Sequence, residues 1–377
     1  MRVVFVYPAL AIWGGVERIW VDKMNLLVNL YGYDVYLLTY NQGSHAVPYP
    51  LDERVHHIDL KVQSHLEYHY HGLRRIWEKI YRRLLLRNRM KHAILSILPD
   101  VITTTTAGEL SLLLEIKGQL PLVVESHSGY DHLQESDHMT LFGHYKLWKC
   151  AQLLKKADAI VSLTDSDASK WRLRYKNVYI IPNIAHQNPY KRYSSGENKR
   201  VISVCRFAEQ KGIPELIAVW RLVYERHPDW QLDVYGEGDC SYFPKENIGL
   251  NVHEPISNIF SKYIESSILI LTSRYEPFGL VIPEAMSCGI PVVSFEGDGP
   301  SSIITEGYDG YVVKNRSVEQ MADTICFLIE NKSLRKQIGH NAVVTSQRYS
   351  IAEIMPKWKS FYAEISRESD LCNSGIK

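Results

Sequence analysis

No Cys-x-x-Cys occurs in this chain, and its six cysteines, Cys150, Cys205, Cys240, Cys288, Cys326 and Cys372, are scattered without a close histidine. That spacing argues against a structural zinc and against a disulfide framework. It makes a reducing cytoplasm the simplest compartment. No apolar run approaches the roughly 20 residues that a bilayer-spanning helix needs. An excess of one charge is missing too. The formal net charge is +1, so no global field selects a nucleic acid or a membrane, and any charge signal is local. Aromatic residues are nowhere concentrated into a base-stacking surface, and no nucleic-acid partner is expected. No G-x-G-x-x-G follows the first apolar run, which speaks against a nicotinamide dinucleotide. Nor does the N-terminus read as a secretion signal. The apolar stretch from Val3 to Trp13 is broken by Pro8 and runs into Gly14-Gly15-Val16-Glu17 with no small-residue cleavage pattern.

What remains is a chain of 377 residues, 45% of them apolar, too long for one ordinary α/β core and about right for two. Val3 to Tyr7 is a short continuous apolar run, as a central parallel strand requires. Val16, Ile19, Trp20, Met24, Leu27 and Val28 recur at helical spacing. They predict a helix from Gly15 to Tyr31, stopped by Gly32. Val35 to Thr39 is the next strand, and strand–helix–strand is the unit of a doubly wound sheet. Further strands are expected over 101–104, 122–125 and 159–163, with an edge strand over 178–181. The polar stretch from Pro182 to Lys199 reads as a linker. The pattern then restarts, with strands over 201–205, 231–235, 268–272 and 291–295. Helices are expected over 213–226, 279–287, 318–330, 334–345 and 351–365. The expected fold is therefore α/β, with two Rossmann-like doubly wound domains, residues 1–185 and 186–351.

The strongest chemical signal runs from Ser273 to Glu284, with Glu276-Pro277-Phe278-Gly279-Leu280 inside it. A strand ends near Thr272 and a helix begins around Gly279, and ligands of open α/β sheets bind beyond the carboxyl ends of the strands. Backbone N–H groups at Phe278, Gly279 and Leu280 at a helix start suit an anion such as a diphosphate. Glu276 lies in the loop and Glu284 over a turn into the helix, so the two address different parts of one ligand. Two surface carboxylates near a helix start are the plainer alternative. The second signal is Cys205 to Gly212. Arg206 falls at the end of a strand and Lys211 just before a helix, and two fixed cations aimed at one crevice neutralise a pyrophosphate without a metal. Solvated surface charges are the alternative there. Asp165-Ser166-Asp167 matches the D-x-D of metal-dependent transferases, but its place between a strand and a helix reads as capping.

Taken together, Glu276-x7-Glu284, the Arg206/Lys211 pair, Gly14-Gly15-Val16-Glu17 and Gly236-Glu237-Gly238 resemble glycosyltransferase family 4 over nearly the whole chain. The likeness is densest between Val201 and Val313. It implies the GT-B fold, two Rossmann-like domains facing across a cleft, with a C-terminal helix (here about 352–377) packing back on the first domain. It implies a retaining hexosyltransferase that uses a nucleotide sugar, needs no metal or other cofactor, and builds surface polysaccharide on a glycan or lipid-linked oligosaccharide. By that resemblance Glu284 would hold the ribose, and Glu276 the sugar hydroxyls near the reacting carbon. Phe278, Gly279 and Leu280 would offer amides, and Arg206 and Lys211 would bind the diphosphate. Gly14, Gly15 and Gly236 would line the donor site. His127, in Glu125-Ser126-His127 after a strand, would face the donor sugar. A histidine merely satisfied in the core is the alternative. Cys205 replaces the family's usual glycine, and Glu254 stands where glycine is common, near the base. UDP is the expected nucleotide and GDP its alternative. A sugar-nucleotide epimerase and a catalytically silent binding partner are the rival readings.

One local charge signal is left over. Arg74, Arg75, Lys79, Arg82, Arg83, Arg87, Arg89 and Lys91 face a single acid, Glu78, between Arg74 and His92. Leu73, Trp77, Ile80 and Leu84 fall among them at helical spacing. A basic amphipathic helix suits an anionic membrane surface, here the inner face, reached peripherally. A packed helix with a solvated basic face is the alternative.

Overall fold

A computed structural model of the protein describes residues 1–106, 109–135 and 141–373. The chain divides into two compact units, Met1–Ile181 with Met355–Lys377, and Pro182–Ile354.

The first unit runs β1 (Arg2–Tyr7), α1 (Gly15–Tyr31), β2 (Asp34–Thr39), β3 (His56–Asp59), α2 (Gly72–Ile97), β4 (Val101–Thr105) and α3 (Leu110–Ile116). It continues with β5 (Leu122–Glu125), α4 (Tyr130–Glu135), α5 (Leu141–Leu154), β6 (Ala159–Ser162), α6 (Asp165–Arg172) and β7 (Val178–Ile180). All strands are parallel, in the order β3-β2-β1-β4-β5-β6-β7. The order reverses beside β1, and that is the point at which doubly wound sheets bind ligands. Val3, Val4, Phe5 and Val6 are fully buried, as a strand covered by helices on both faces demands. Trp20 of α1 packs on Phe5 and Tyr7, with ring centroids 5.2 and 5.1 Å apart. Burying a side chain of this kind contributes about 1.5–3 kcal/mol.

The second unit repeats the design with β8 (Arg200–Val204), α7 (Ile213–Arg226), β9 (Gln231–Tyr235), β10 (Leu250–His253), α8 (Ile259–Ile264) and β11 (Ile268–Leu271). Then come α9 (Val281–Met286), β12 (Val292–Phe295), α10 (Asp298–Ile303), β13 (Gly310–Val313), α11 (Val318–Glu330) and α12 (Lys332–Ser346). Its order, β10-β9-β8-β11-β12-β13, again reverses beside the first strand of the unit. The last helix, α13, spans Ile351–Asn373. From Met355 onward it belongs to the first unit, where the hydroxyls of Tyr362 and Thr103 meet at 3.2 Å. The expected end of this helix, residues 374–377, lies outside the described residues.

Three strands escape the sequence reading. β3 and β10 are edge strands with mostly exposed or half-exposed residues, so they carry no apolar run. β13 opens on Gly310, whose close approach to the Val292 carbonyl leaves no room for a Cβ. The stretch at Asp165 is a cap, as its position suggested. Thr164 accepts from the Asp167 N–H, and the buried Asp167 carboxylate accepts from Tyr130 N and Trp171 Nε1.

Helix α2 has two halves. Leu86, Met90, Ile94 and Ile97 are buried. Earlier in the helix Leu73 is 84% exposed and Trp77 63%, with Ile76, Ile80, Tyr81 and Leu84 also exposed. Arg82 and Arg89 donate to the carbonyls of Val62 and Leu60, and Arg87 pairs with Glu115. Those arginines hold the loop before the helix and its neighbour α3, whereas Arg74, Arg75 and Lys79 are exposed. No helix among the described residues is long and apolar enough to cross a membrane.

Candidate active site

In the second unit the carboxyl ends of β8 and β11 bring the two sequence signals together. Lys211 Nζ lies 2.7 Å from Glu276 Oε2, with side chains only 16% and 13% exposed. Ser273 Oγ donates to the same carboxylate oxygen at 3.2 Å. The contact depends on Gly212, which follows Lys211 in the left-handed region at φ 64°. A Cβ there would sit 2.2 Å from the Thr272 carbonyl oxygen. Only glycine lets the Lys211 turn lie this close to the end of β11. Arg206 is exposed at the end of β8 and makes no ion pair among the described residues. The arrangement is one cation held by a carboxylate beside one left open.

The loop that carries Glu276 is tied at both ends. Arg274 pairs with Glu215 and Glu209, each at 2.9 Å. Gly299 N–H donates to the Glu276 carbonyl at 3.0 Å. Gly279 has φ 85° and turns the chain over Glu276, so the helix α9 opens at Val281 and not at Gly279. A left-handed residue cannot continue an α-helix, which moves its start by two positions from the expected one. Phe278 is a core residue that packs edge-on against Tyr349 at 5.5 Å. Leu280 is the N-terminal cap residue of α9, and Glu284 is 2% exposed. Gly236 packs onto the Cys205 carbonyl, where a Cβ would come within 1.8 Å. This locks the ends of β8 and β9 together. Burial pushes the Cys205 thiol up to about 11, against the opposing pull of Lys211.

In the first unit Gly14 is the N-terminal cap of α1. A Cβ on it would meet the Glu17 carboxylate at 2.0 Å, while one on Gly15 would meet nothing within 4 Å. The fold itself therefore makes no demand for glycine at position 15. Glu17 accepts from the Tyr7 hydroxyl at 3.3 Å. His127 follows β5, with its side chain 5% exposed. Its Nε2 lies 3.1 Å from both Glu125 Oε2 and Trp20 Nε1. Its Nδ1 is buried without a partner among the described residues.

Residues 13–185 match the family model for glycosyltransferase family 4, and residues 187–344 match the model for glycosyl transferases group 1. The chain belongs to the family 4 glycosyltransferases. It is 27% identical over 361 residues to an uncharacterized glycosyltransferase of Haemophilus influenzae, covering 92% of this chain and 95% of that one. At the same identity and coverage it is similar to the amylovoran biosynthesis glycosyltransferase AmsD of Erwinia amylovora. The crystal structure of Anabaena HepE in complex with UDP and glucose shares the fold, with a TM-score of 0.73 at 18% identity, over 96% of this chain and 99% of that one.

Several residues that hold these candidate groups, within each unit of this family 4 glycosyltransferase, gave no signal in the sequence. Arg316, in a turn with φ 50°, donates to the carbonyls of Thr272 and Ser273 at 2.9 and 2.8 Å. It fixes the end of β11, and a lone arginine in a polar turn does not announce that. Gly299 braces Glu276 from the first turn of α10. Lys23 and Glu125 form a buried ion pair behind His127. A lysine within an otherwise apolar helical stripe was the one available hint of that pair.

Proposed function

We propose that the protein moves a hexose-type sugar from a nucleotide diphosphate, UDP first among them, to a glycan or lipid-linked oligosaccharide in surface polysaccharide synthesis. The transfer retains configuration at the anomeric carbon and uses no metal. The observation that carries this reading is the Lys211–Glu276 pair beside the open Arg206 at the carboxyl ends of β8 and β11. The likeness to AmsD, named for amylovoran biosynthesis, supports the acceptor class, and UDP and glucose bound to HepE support the donor class.

As the anomeric C–O bond to the diphosphate breaks, charge builds on the leaving oxygens. The Arg206 guanidinium and Lys211 ammonium meet that charge, Lys211 from a position that Glu276 sets in advance, and such preorganised charge is an effective form of electrostatic stabilisation. Glu276 restrains Lys211 before the donor binds and accepts sugar hydroxyls afterwards. Glu284 takes the ribose, and the backbone of Phe278, Gly279 and Leu280 lies along the sugar and phosphates. Gly236 lies with them in the second unit, and Gly14, Gly15 and His127 are the first unit's own candidates for donor contacts. The departing phosphate oxygen takes the acceptor's proton on the face where the new C–O bond forms, so no protein base is needed. Arg206→Ala, Lys211→Ala and Glu276→Ala are each expected to lower kcat by about 10²–10³, the cost of losing one such group, with folding intact. Near-normal turnover of a UDP-hexose by all three would sink the assignment. Turnover without any acceptor would favour the epimerase reading.

The exposed half of α2 supports a peripheral site on an anionic membrane. Its apolar stripe from Leu73 to Leu84 is flanked by Arg74, Arg75 and Lys79, the pairing that inserts apolar side chains while cations meet lipid headgroups. The informative substitutions are Arg74→Glu, Arg75→Glu and Lys79→Glu, because Arg82 and Arg87 hold the fold. The triple variant is expected to lose sedimentation with phosphatidylglycerol vesicles. Unchanged sedimentation would refute the membrane site.

A further inference from the structure

Three polar atoms at the carboxyl ends of the neighbouring strands β4 and β5 are buried without a hydrogen-bond partner among the described residues: Thr105 Oγ1, Ser126 Oγ and His127 Nδ1. Thr105 lies directly opposite Glu125 in the sheet. A native fold leaves few such atoms, because each one costs the desolvation it never recovers. Three together, at the edge where α/β sheets bind ligands, mark groups that a ligand satisfies.

The other ring nitrogen of His127 is contested. Trp20 Nε1 lies 3.1 Å from His127 Nε2 and can only donate. Glu125 Oε2 lies 3.1 Å from the same nitrogen and, when ionised, can only accept. One ring nitrogen cannot serve both. Burial alone would raise the Glu125 carboxyl, but the Lys23 ammonium and His127 outweigh it and hold it below the ordinary range. Lys23 is itself enclosed. It is bonded to Glu125 Oε1, and its Nζ sits 3.8 Å from the ring centroid of Trp358 on α13 and 5.4 Å from that of Phe5 on β1. A hydrogen bond to an ionised carboxylate is roughly twice as strong as a neutral one, so Glu125 prevails over Trp20 and Nε2 carries the proton. The partner of one ring nitrogen thus decides what the other can do.

We propose that Lys23 and Glu125 are positioning residues that hold His127 in its Nε2–H tautomer, leaving Nδ1 to accept a hydrogen bond from a hydroxyl of a neutral sugar, with Thr105 and Ser126 beside it. Lys23 and Glu125 cancel in charge, so the cradle suits a hydroxyl and not a phosphate. The sugar in this statement rests on the glycosyltransferase reading, whereas the tautomer does not.

The test is ¹⁵N NMR of the full chain labelled at histidine, at about pH 8, above the ordinary histidine range, with the His127 signals identified by their loss in His127→Asn. The wild type is expected to show Nε2 protonated and Nδ1 bare. Lys23→Met alone strands a buried carboxylate, so the informative variant is Lys23→Met/Glu125→Gln, which leaves no unpaired charge. In it Nε2 accepts from Trp20, the tautomer swings to Nδ1–H, and kcat with a UDP-hexose falls about ten- to a hundredfold, the usual loss when the partner that orients a histidine is removed. The Kd of UDP stays within about twofold, since the diphosphate groups are untouched. A wild-type Nδ1–H tautomer, or a double variant with unchanged tautomer and kcat, would overturn the proposal. If the wild type shows Nε2–H yet turns over no nucleotide sugar, the sugar is overturned as the ligand while the positioning pair stands, which separates the two failures.

Discussion

Replacing Gly212 by alanine isolates the contact that brings Lys211 to Glu276. At φ 64° the added Cβ would lie 2.2 Å from the Thr272 oxygen, 3.1 Å from its carbon and 3.3 Å from Arg316 Nη2. The carbonyl cannot move without disturbing the hydrogen bond that Arg316 donates to it at 2.9 Å. The left-handed conformation costs alanine about 1–2 kcal/mol, and forcing the backbone apart adds about 1–3 kcal/mol. At roughly 2–4 °C per kcal/mol for a unit of this size, the melting temperature should fall by about 4–20 °C. Differential scanning calorimetry on the full chain reads this directly. A drop below about 2 °C, well under that range, would mean that the turn has slack. In that case the closeness of Lys211 to Glu276 would not be imposed by the backbone.

Gly15→Ala provides the contrast. The new methyl meets nothing in the fold, so the melting temperature is expected to stay within about 2 °C, as for an unstrained surface change. Nucleotide-sugar affinity should weaken if the Gly14-Gly15 loop lies against the donor, as measured by calorimetric titration with UDP-glucose. Equal affinity in both proteins would remove Gly15 from the donor site. For the cysteines the thiol shifts set the order of reaction. Burial pushes Cys205 to about 11 and Cys288 to about 12, so at about pH 8 only on the order of one part in a thousand or less of either is thiolate. Among the described cysteines, iodoacetamide should therefore label the exposed Cys240 first. Labelling of Cys205 should become appreciable only as pH rises towards its raised value. Mass spectrometry showing Cys205 modified as fast as Cys240 would contradict its burial.

The sheets were legible because buried parallel strands must be short apolar runs, as in Val3–Tyr7 and Leu122–Glu125. The first helix was legible because Trp20, Met24 and Leu27 recur on one face. Edge strands are exempt from that demand, so His56–Asp59 and Leu250–His253 left no trace. The Lys211 and Glu276 motifs could be read because each occupies a strand-to-helix turn of recognisable composition. Their meeting at 2.7 Å could not be read, because it depends on a glycine backed against a carbonyl sixty residues away. Long-range pairing also hid the Lys23–Glu125 contact, which joins residues 102 positions apart. The exposed stripe on α2 illustrates a further limit. Helical periodicity shows that a stripe exists, but not whether protein covers it.

The measurement that bears most directly on the central claim is thermal unfolding with a panel of nucleotides and nucleotide sugars, with and without EDTA. A ligand at a hundredfold excess over its Kd stabilises the protein by about 2.7 kcal/mol. UDP and a UDP-hexose are expected to raise the melting temperature, EDTA to leave the rise intact, and Lys211→Ala to abolish it. No shift with any nucleotide, or a shift lost on adding EDTA, would contradict a donor site built on Arg206, Lys211 and Glu276.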